Sequence, residues 1–309
     1  MPIVKRLFFT GKGGVGKSTL AATAAWQLAQ LGHKVLAVSF DPAHNLGDIF
    51  GRELSHAKLA FTDRLDLQEA DLEQSAEAYI DRSIGVLSDV YSYTHAFNLD
   101  LYLKVLRYSP GVEEYAALTA LERIVIDDTH YDYIVFDTPP TGLTLRILAL
   151  PSITVAWIER LLKLRRQILQ KRGTIHKLSG KYDEEGFKLP YTERDDTVLH
   201  KLEEMLARYR TLNDLLRGGD THIAVVFNPD YLSFRESERI VSGLQELELP
   251  LRSAYNNKVE DENEEIAQDV EKKLFSNGAR SVPIQRVPLQ PPQRDGAYLM
   301  PVDITAAFV

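Results

Sequence analysis

The chain contains no cysteine among its 309 residues. Disulfide bonds, iron–sulfur clusters and thiolate zinc sites are therefore excluded. This composition fits a reducing compartment, and we expect a cytoplasmic protein. Basic residues are also few, because 36 lysines and arginines stand against 44 acidic residues, giving a formal net charge of −8. We expect no general nucleic-acid binding, since that function needs a basic surface that displaces counterions from phosphates.

Long uninterrupted apolar runs are absent as well. The first ten residues carry Lys5 and Arg6 and only a short apolar run, unlike the core of a signal peptide. The most apolar stretch, Leu143 to Leu162, is broken by charged residues and a proline. A membrane-spanning helix needs about 18 consecutive apolar residues. We therefore expect no transmembrane segment.

Apolar, β-branched runs alternate with helical patterns along the chain. Such runs are typical of strands that are buried on both faces of a parallel sheet. They occupy residues 3–9, 34–40, 133–136, 222–227 and 283–289. An alanine-rich stretch, Ser18 to Leu31, follows the first run and predicts a helix that ends at Gly32. The alternation predicts an α/β fold with a doubly wound, mostly parallel sheet.

Two long segments do not follow this alternation. Asp71 to Asp128 and Pro151 to Gly219 show helical periodicity without a convincing strand. We interpret them as insertions that form an α-helical subdomain, with boundaries 71–128 and 151–219. The α/β core would then consist of residues 1–70, 129–150 and 220–309.

A phosphate-binding loop lies between the first strand and the first helix. Residues 11–18 match the pattern G-x-x-x-x-G-K-[ST], in which backbone N–H groups and a helix N-terminus bind phosphate oxygens. We expect Lys17 to hold the β- and γ-phosphates, Ser18 to bind Mg²⁺ and Thr19 to contact the α-phosphate. The nucleotide-binding residues predicted here are Gly11, Gly13, Gly14, Val15, Gly16, Lys17, Ser18 and Thr19.

Two aspartates each follow a predicted strand directly. Asp41 and Asp137 should therefore lie at the carboxyl edge of the sheet, where open α/β sheets bind ligands. Asp137 follows an apolar strand in the manner of a Walker-B carboxylate, so we expect it to bind Mg²⁺ through water. Asp41 is the candidate for orienting the attacking water, with His44 as an alternative base. Asn45 is a candidate sensor of the γ-phosphate.

These residues resemble a known family, the deviant Walker-A ATPases. Residues 9–19 are similar to its phosphate loop, and Lys12 matches its additional signature lysine. Residues 41–46 and 137–146 resemble the two switch segments of the branch that contains the arsenite-pump ATPases and the tail-anchored-protein targeting ATPases. Residues 231–239 resemble a further family segment, so the similarity covers nearly the whole chain.

The resemblance implies a homodimer that closes on ATP and Mg²⁺, with Lys12 reaching the phosphates of the partner chain. It also places the adenine base near Asn256, at the end of a strand from Leu251 to Tyr255, with Pro288 and Leu289 against the base. A rival interpretation takes residues 257–260, Asn-Lys-Val-Glu, as a guanine-reading motif with glutamate in place of aspartate. The two switch segments favour ATP. Without cysteine, neither the thiolate metalloid site of the pump ATPases nor the zinc clasp of many targeting ATPases can form.

The partner of such an ATPase stays open between two classes. The first is a targeting ATPase whose helical insertions bind membrane-protein segments such as tail-anchored proteins; the second is a regulatory switch or ion-pump-associated ATPase that acts on a folded protein. Side chains that would line a groove, or form the core of the insertion, are Tyr91, Tyr93, Phe97, Leu101, Tyr102, Leu103 and Tyr108. The basic stretch Arg160 to Lys181 suits a membrane surface, an acidic partner or a solvated helix face.

Overall fold

The computed structural model describes residues 3–41, 45–70, 72, 74–77, 80, 111–179, 190–276, 282–290 and 299–308. The chain divides into two compact units. The first comprises Met1–Leu72, Arg123–Ala149 and Asp214–Val309, and the second comprises Glu73–Glu122 and Leu150–Asn213. His44, the groove candidates from Tyr91 to Tyr108, and Lys181 lie outside the described residues.

The described strands all belong to one sheet. They are β1 (Lys5–Gly11), β2 (Val35–Ser39), β3 (Leu59–Ala60), β4 (Leu65–Glu69), β5 (Tyr133–Asp137), β6 (Thr221–Phe227), β7 (Leu251–Val259) and β8 (Ile284–Pro288). The principal helices are α1 (Lys17–Gln30), α2 (Asn45–Phe50), α3 (Val112–Asp127), α4 (Thr141–Ser179), α5 (Thr197–Arg217), α6 (Tyr231–Glu246) and α7 (Glu264–Ser276). Short 3₁₀ turns occupy Glu193–Asp195 and Asp261–Asn263.

The sheet has the order β3-β4-β2-β5-β1-β6-β7-β8, and only the β3–β4 pair is antiparallel. Helices connect the parallel strands, as such crossovers require. The prediction of a doubly wound, mostly parallel α/β sheet is confirmed. Asp137 is the register partner of Phe9 on β1 and of Ser39 on β2. This register brings the carboxyl ends of the three central strands together.

The central strands are buried on both faces, which explains their continuous apolar sequence. On one face, the rings of Phe8 and Phe136 stack with centroids 4.3 Å apart. On the other face, α1 presents alanines such as Ala21, Ala24 and Ala25, all of them buried. Small side chains let the helix approach the strands closely. The phosphate loop at its start is thereby attached to a helix that packs closely on the buried centre of the sheet.

Residues 299–308 form a segment that is held by two side chains of α1. The Thr23 hydroxyl accepts the backbone N–H of Met300 at 3.0 Å, and it donates to Thr19 within the helix. The Gln27 amide donates to the Val302 carbonyl at 2.8 Å and accepts the N–H of Ile304 at 3.0 Å. The segment is therefore bound to the same helix that carries the phosphate loop.

The described part of the second unit is helical, and charged pairs link its helices. Asp196 is fully buried and accepts hydrogen bonds from Arg165, at 3.0 Å from Nε and 2.7 Å from Nη2. The same carboxylate caps α5 by accepting the N–H of Leu199 at 2.6 Å. Buried Glu122 is paired with Arg208. These pairs satisfy the charges that the helices bury.

Two features of the sheet differ from the expectations from sequence. Strand β4 was not predicted, and β7 continues to Val259, whereas the family resemblance implied a strand that ends at Tyr255. In β4, polar Gln68 is buried, and its amide donates to the His56 carbonyl at 2.6 Å. In β7, both Asn256 and Asn257 are buried inside the strand. A strand that buries hydrogen-bonded polar residues lacks a continuous apolar run, so the apolar pattern does not predict it.

Among the described residues, one helix meets the length and composition of a membrane span. It covers Thr141–Leu178, with a mean hydropathy of 1.5 in its most apolar window, of which 33% is buried.

Candidate functional site

The loop between β1 and α1 has the conformation that its glycines allow. Gly14 and Gly16 have φ angles of 80° and 97°, in the left-handed region that favours glycine. At Gly11 the reason is space, because a Cβ there would lie 2.2 Å from the carbonyl oxygen of Val226. The loop therefore needs glycine at these three positions.

Helix α1 begins directly after this loop and has no side-chain cap. Gly16 is its N-cap residue and has no side-chain oxygen that could accept the first N–H groups. These N–H groups and the positive end of the helix dipole favour an anion at this place. Uncapped donors next to a glycine-rich loop are the geometry of phosphate binding.

A cavity of about 570 Å³ opens over the loop. Nine of the predicted site residues line it: Gly13, Gly14, Gly16, Lys17, Ser18, Thr19, Asp41, Asn45 and Leu289. Gly11, Lys12, Val15, Asp137, Asn256 and Pro288 do not belong to its lining. Gly11 and Val15 are buried behind the loop. Their contribution to the site is backbone shape.

Asp137 lies at the end of β5, 1% exposed. Burial raises the pKa of its carboxyl group to about 7, against the opposing effects of the Ser18 hydroxyl and the Lys17 charge. The charge of Asp41 raises this pKa further, and the Ser39 hydroxyl lowers it. These influences place Lys17, Ser18 and both carboxylates in one electrostatic neighbourhood.

The residues around Asp137 fit a divalent cation. Neither of its buried carboxylate oxygens has a hydrogen bond of good geometry, although the Ser18 and Ser39 hydroxyls are close enough to influence its pKa. An unpartnered buried carboxylate is costly, and a cation beside it would keep it ionised. Hard oxygen donors such as a carboxylate and a hydroxyl are those that Mg²⁺ prefers.

The sequence matches the model of the anion-transporting ATPase family over residues 4–280. It is 31% identical to the arsenical pump-driving ATPase 2 of Aquifex aeolicus, an alignment that covers 87% of this chain and 86% of that protein. The chain belongs to the anion-transporting ATPase family. The chain is 28% identical to the ATPase ASNA1 homolog 2 of Paramecium tetraurelia, in an alignment that covers 84% of this chain and 77% of that protein. It is 27% identical to the ATPase ASNA1 homolog of Dictyostelium discoideum, over 83% of this chain and 72% of that protein.

As a member of the anion-transporting ATPase family, the protein is an ATPase. Its catalytic, nucleotide and metal residues stay predictions, and the structure positions them as follows. Lys17 is 4% exposed, and its ammonium group donates to the Lys12 carbonyl at 3.4 Å. Asp41 and Asn45 line the cavity on the side of the second strand. Residues of the phosphate loop and residues that follow the second strand thus line the same cavity.

The expected base side of this ATPase shows two adjacent asparagines with different partners. The Asn256 amide donates to Glu271 at 2.7 Å, and its own oxygen is buried without a partner. Asn257 lines the cavity, and its amide donates to the Val15 carbonyl at 2.7 Å. Successive side chains of a strand point to opposite faces, which explains the difference. Because Asn256 does not line the cavity, its predicted contact with the base stays a prediction.

Seven further residues line the cavity of this ATPase beyond the predicted set: Asp48, Ile49, Pro140, Asn257, Lys258, Gln290 and Met300. Asp48 and Ile49 are within one helical turn of Asn45, so a helix prediction from Asn45 would have found them. Asn257 and Lys258 are adjacent to Asn256, and only the rival guanine motif drew attention to them. Met300 had no sequence signal, because contacts with α1 bring its segment there.

Proposed function

We propose that this ATPase hydrolyses Mg²⁺-bound ATP to drive opening and closing of a homodimer that binds membrane-protein segments, such as tail-anchored proteins, in the cytoplasm. The observation that supports the nucleotide part of this proposal is the cavity, whose lining includes Lys17, Ser18, Asp41 and Asn45. In this scheme Lys17 and the loop N–H groups bind the β- and γ-phosphates, and Ser18 and Asp137 hold Mg²⁺. The cation would neutralise charge that develops on the phosphates.

The residues of the chain supply positioning and electrostatic stabilisation in this scheme. Asp41 accepts a hydrogen bond from the attacking water and orients it toward the γ-phosphate. Asn45 contacts the γ-phosphate, and Leu289 packs against the base. Lys12 acts on the phosphates of the partner chain, which is supported by its absence from the cavity lining of its own chain.

The observation that carries the client assignment is a row of exposed apolar side chains on α4. Ile153, Trp157, Leu161 and Leu164 are 45%, 61%, 45% and 53% exposed. Their spacings of 4, 4 and 3 residues put them on one face of the helix. We call them the α4 apolar row. Exposed large apolar side chains aligned along one helix face are typical of an interaction site.

The experiment is capture of a recombinant single-span tail-anchored protein during cell-free synthesis. We expect the wild-type ATPase to keep this protein soluble and to elute with it in size-exclusion chromatography. A Trp157→Asp/Leu161→Asp variant should lose the complex while its ATP hydrolysis stays within about twofold. Leu232→Asp is the matched control, because Leu232 is 64% exposed on α6 of the other unit. Its complex should be unaffected.

The outcomes separate the two parts of the proposal. If the wild type leaves the tail-anchored protein aggregated while hydrolysing ATP, the client assignment is wrong and the ATPase acts on another partner. Wild-type capture by the Trp157→Asp/Leu161→Asp variant would show that the α4 apolar row is not the binding face. Loss of hydrolysis on adding EDTA, and its return with Mg²⁺, tests the metal requirement independently.

A further inference from the structure

The end of β7 donates hydrogen bonds to two consecutive carbonyls of the phosphate loop. The side-chain amide of Asn257 donates to the Val15 carbonyl at 2.7 Å, and the ammonium group of Lys258 donates to the Gly14 carbonyl at 2.9 Å. Asn257 is 2% exposed. Both contacts join parts of the chain that are more than 240 residues apart. They are therefore tertiary contacts that the loop cannot make by itself.

An irregularity in β7 places both side chains on the loop. Consecutive residues of a regular strand point to opposite faces, so Asn257 and Lys258 would normally diverge. The pairing of β7 with β8 shifts between Asn257 and Val259, and Lys258 has a φ angle of 62°. Such a bulge redirects a side chain, and a left-handed conformation at a residue other than glycine costs about 1 kcal/mol. The unfavourable conformation thus occurs at Lys258, the residue that contacts the loop.

Holding these carbonyls also orients the loop N–H groups. The carbonyl of one residue and the N–H of the next belong to one planar trans peptide and point in opposite directions. Fixing the Gly14 carbonyl therefore directs the N–H of Val15 away from Lys258. Fixing the Val15 carbonyl directs the N–H of Gly16 away from Asn257. Phosphate oxygens are bound by consecutive N–H groups and are repelled by carbonyl oxygens.

We propose that Asn257 and Lys258 are positioning residues of the ATPase, which hold the Gly14 and Val15 carbonyls so that the loop presents its N–H groups to a polyphosphate. This inference rests on the proposed nucleotide site. It assigns the two residues to the phosphates, whereas the rival motif assigned them to a guanine base. Glu260, which would complete that motif, instead caps the 3₁₀ turn at Asp261–Asn263 by accepting the N–H of Asn263.

Gly16 gives a second indication that Asn257 and the loop fit together closely. A Cβ at Gly16 would lie 2.3 Å from the Asn257 amide nitrogen. The space on this side of the loop is thus filled by the Asn257 side chain. Truncating Asn257 would remove both the donor and the support for the peptide that follows Val15.

The test measures binding of inorganic tripolyphosphate, which has no base, beside binding of ATP, both by calorimetry with Mg²⁺. The variants are Asn257→Ala, Lys258→Met and Lys258→Arg. Losing one hydrogen bond to an ordered loop weakens binding by about tenfold. We expect Asn257→Ala and Lys258→Met to weaken tripolyphosphate and ATP by similar factors of about ten. Lys258→Arg keeps a charged donor and should restore most of the affinity.

Lys272→Met is the matched control, because it removes an exposed lysine from α7, away from the cavity lining. It should bind both ligands like the wild type. Chemical unfolding of every variant reports whether the fold persists, and Lys258→Met keeps the test valid should Asn257→Ala not fold, since Lys258 is at the surface.

Three results would overturn the inference or its basis. Weaker ATP binding with unchanged tripolyphosphate binding would assign Asn257 and Lys258 to the base. Unchanged binding of both ligands by the folded variants would show that the loop needs no support from β7. A wild-type protein that binds neither ligand would instead refute the proposed nucleotide site, which distinguishes the two failures.

Discussion

The ammonium group of Lys17 donates to the backbone carbonyl of Lys12, 3.4 Å away. The two lysines of the phosphate loop have different positions, because the side chain of Lys17 lines the cavity and that of Lys12 does not. This difference in position agrees with the proposed roles, in which Lys17 binds phosphate in its own chain and Lys12 acts on the nucleotide of a partner chain.

We expect Lys12→Ala to leave ATP affinity within about threefold and to remove most of the hydrolysis, since the proposed scheme assigns phosphate binding to Lys17 and the loop N–H groups. Lys17→Ala is the contrasting variant and should lose ATP binding itself. Calorimetry and a phosphate-release assay measure the two effects. If Lys12→Ala cannot bind ATP, Lys12 acts within its own site.

Replacing Asp41 by asparagine should lower hydrolysis by about 10² or more, because an amide oxygen is a weak acceptor for the proton of the attacking water. ATP binding should persist, so a closed two-chain species should accumulate with ATP and Mg²⁺ in chromatography with light scattering. Asp63→Asn, at an exposed carboxylate outside the cavity lining, is the control. Near wild-type hydrolysis by Asp41→Asn would remove Asp41 from the mechanism and leave His44 as the candidate.

Arsenite and antimonite should not stimulate hydrolysis. The chain has no thiolate to bind them, and the part of the chain that the structure describes holds no group of three or more His, Asp or Glu side chains placed to bind a metal ion. Steady-state hydrolysis with and without arsenite measures this. A several-fold stimulation would require a metalloid site built without cysteine.

Removing the buried carboxylate of Asp196 should destabilise the second unit by about 3 kcal/mol or more, since Arg165 would lose its partner and α5 its cap. Asp196→Asn keeps an oxygen for the cap and should cost less than Asp196→Ala. Glu203→Ala breaks the exposed pair with Arg166 and should cost less than about 1 kcal/mol. Urea unfolding measures all three, and equal costs for Asp196→Ala and Glu203→Ala would contradict the expectation.

Stability should fall in mild acid because of His222. Burial lowers the pKa of this imidazole to about 4, helped by the charge of Arg252, and its ring is 2.7 Å from the Ser253 hydroxyl. The folded state binds fewer protons than the unfolded state between the ordinary pKa of 6.5 and 4, so this contribution is complete above pH 6.5 and disappears toward pH 4. The loss amounts to at most about 3 kcal/mol.

The measurement for His222 is the urea midpoint between pH 7.5 and 4.5. His222→Gln cannot be protonated, so its midpoint should change less over this range than that of the wild type. His130→Gln, at an exposed histidine, should follow the wild type. A His222→Gln variant with the full wild-type dependence would assign the acid sensitivity to other groups.

The sequence was sufficient to predict the buried strands and the phosphate loop, because in each of them a local residue pattern corresponds to one structure. Strands β1, β2, β5 and β6 are continuous apolar runs because helices cover both faces of the sheet, and the phosphate loop is a local motif whose glycines are required by φ angles and space. Asn257 and Lys258 were beyond such reasoning. Their contacts with Val15 and Gly14 depend on a bulge in β7 that no local sequence pattern predicts. Without knowledge of these distant partners, polar residues at the end of a strand are interpreted as a turn.

The segment at residues 299–308 completes the cavity wall from the far end of the chain. Met300 lines the cavity, and Thr23 and Gln27 of α1 hold this segment. A ribosome makes these residues long after the phosphate loop, so a nascent chain that displays the loop still lacks part of the cavity wall. We therefore expect a growing chain to bind nucleotide less tightly before Met300 has been synthesised than after it.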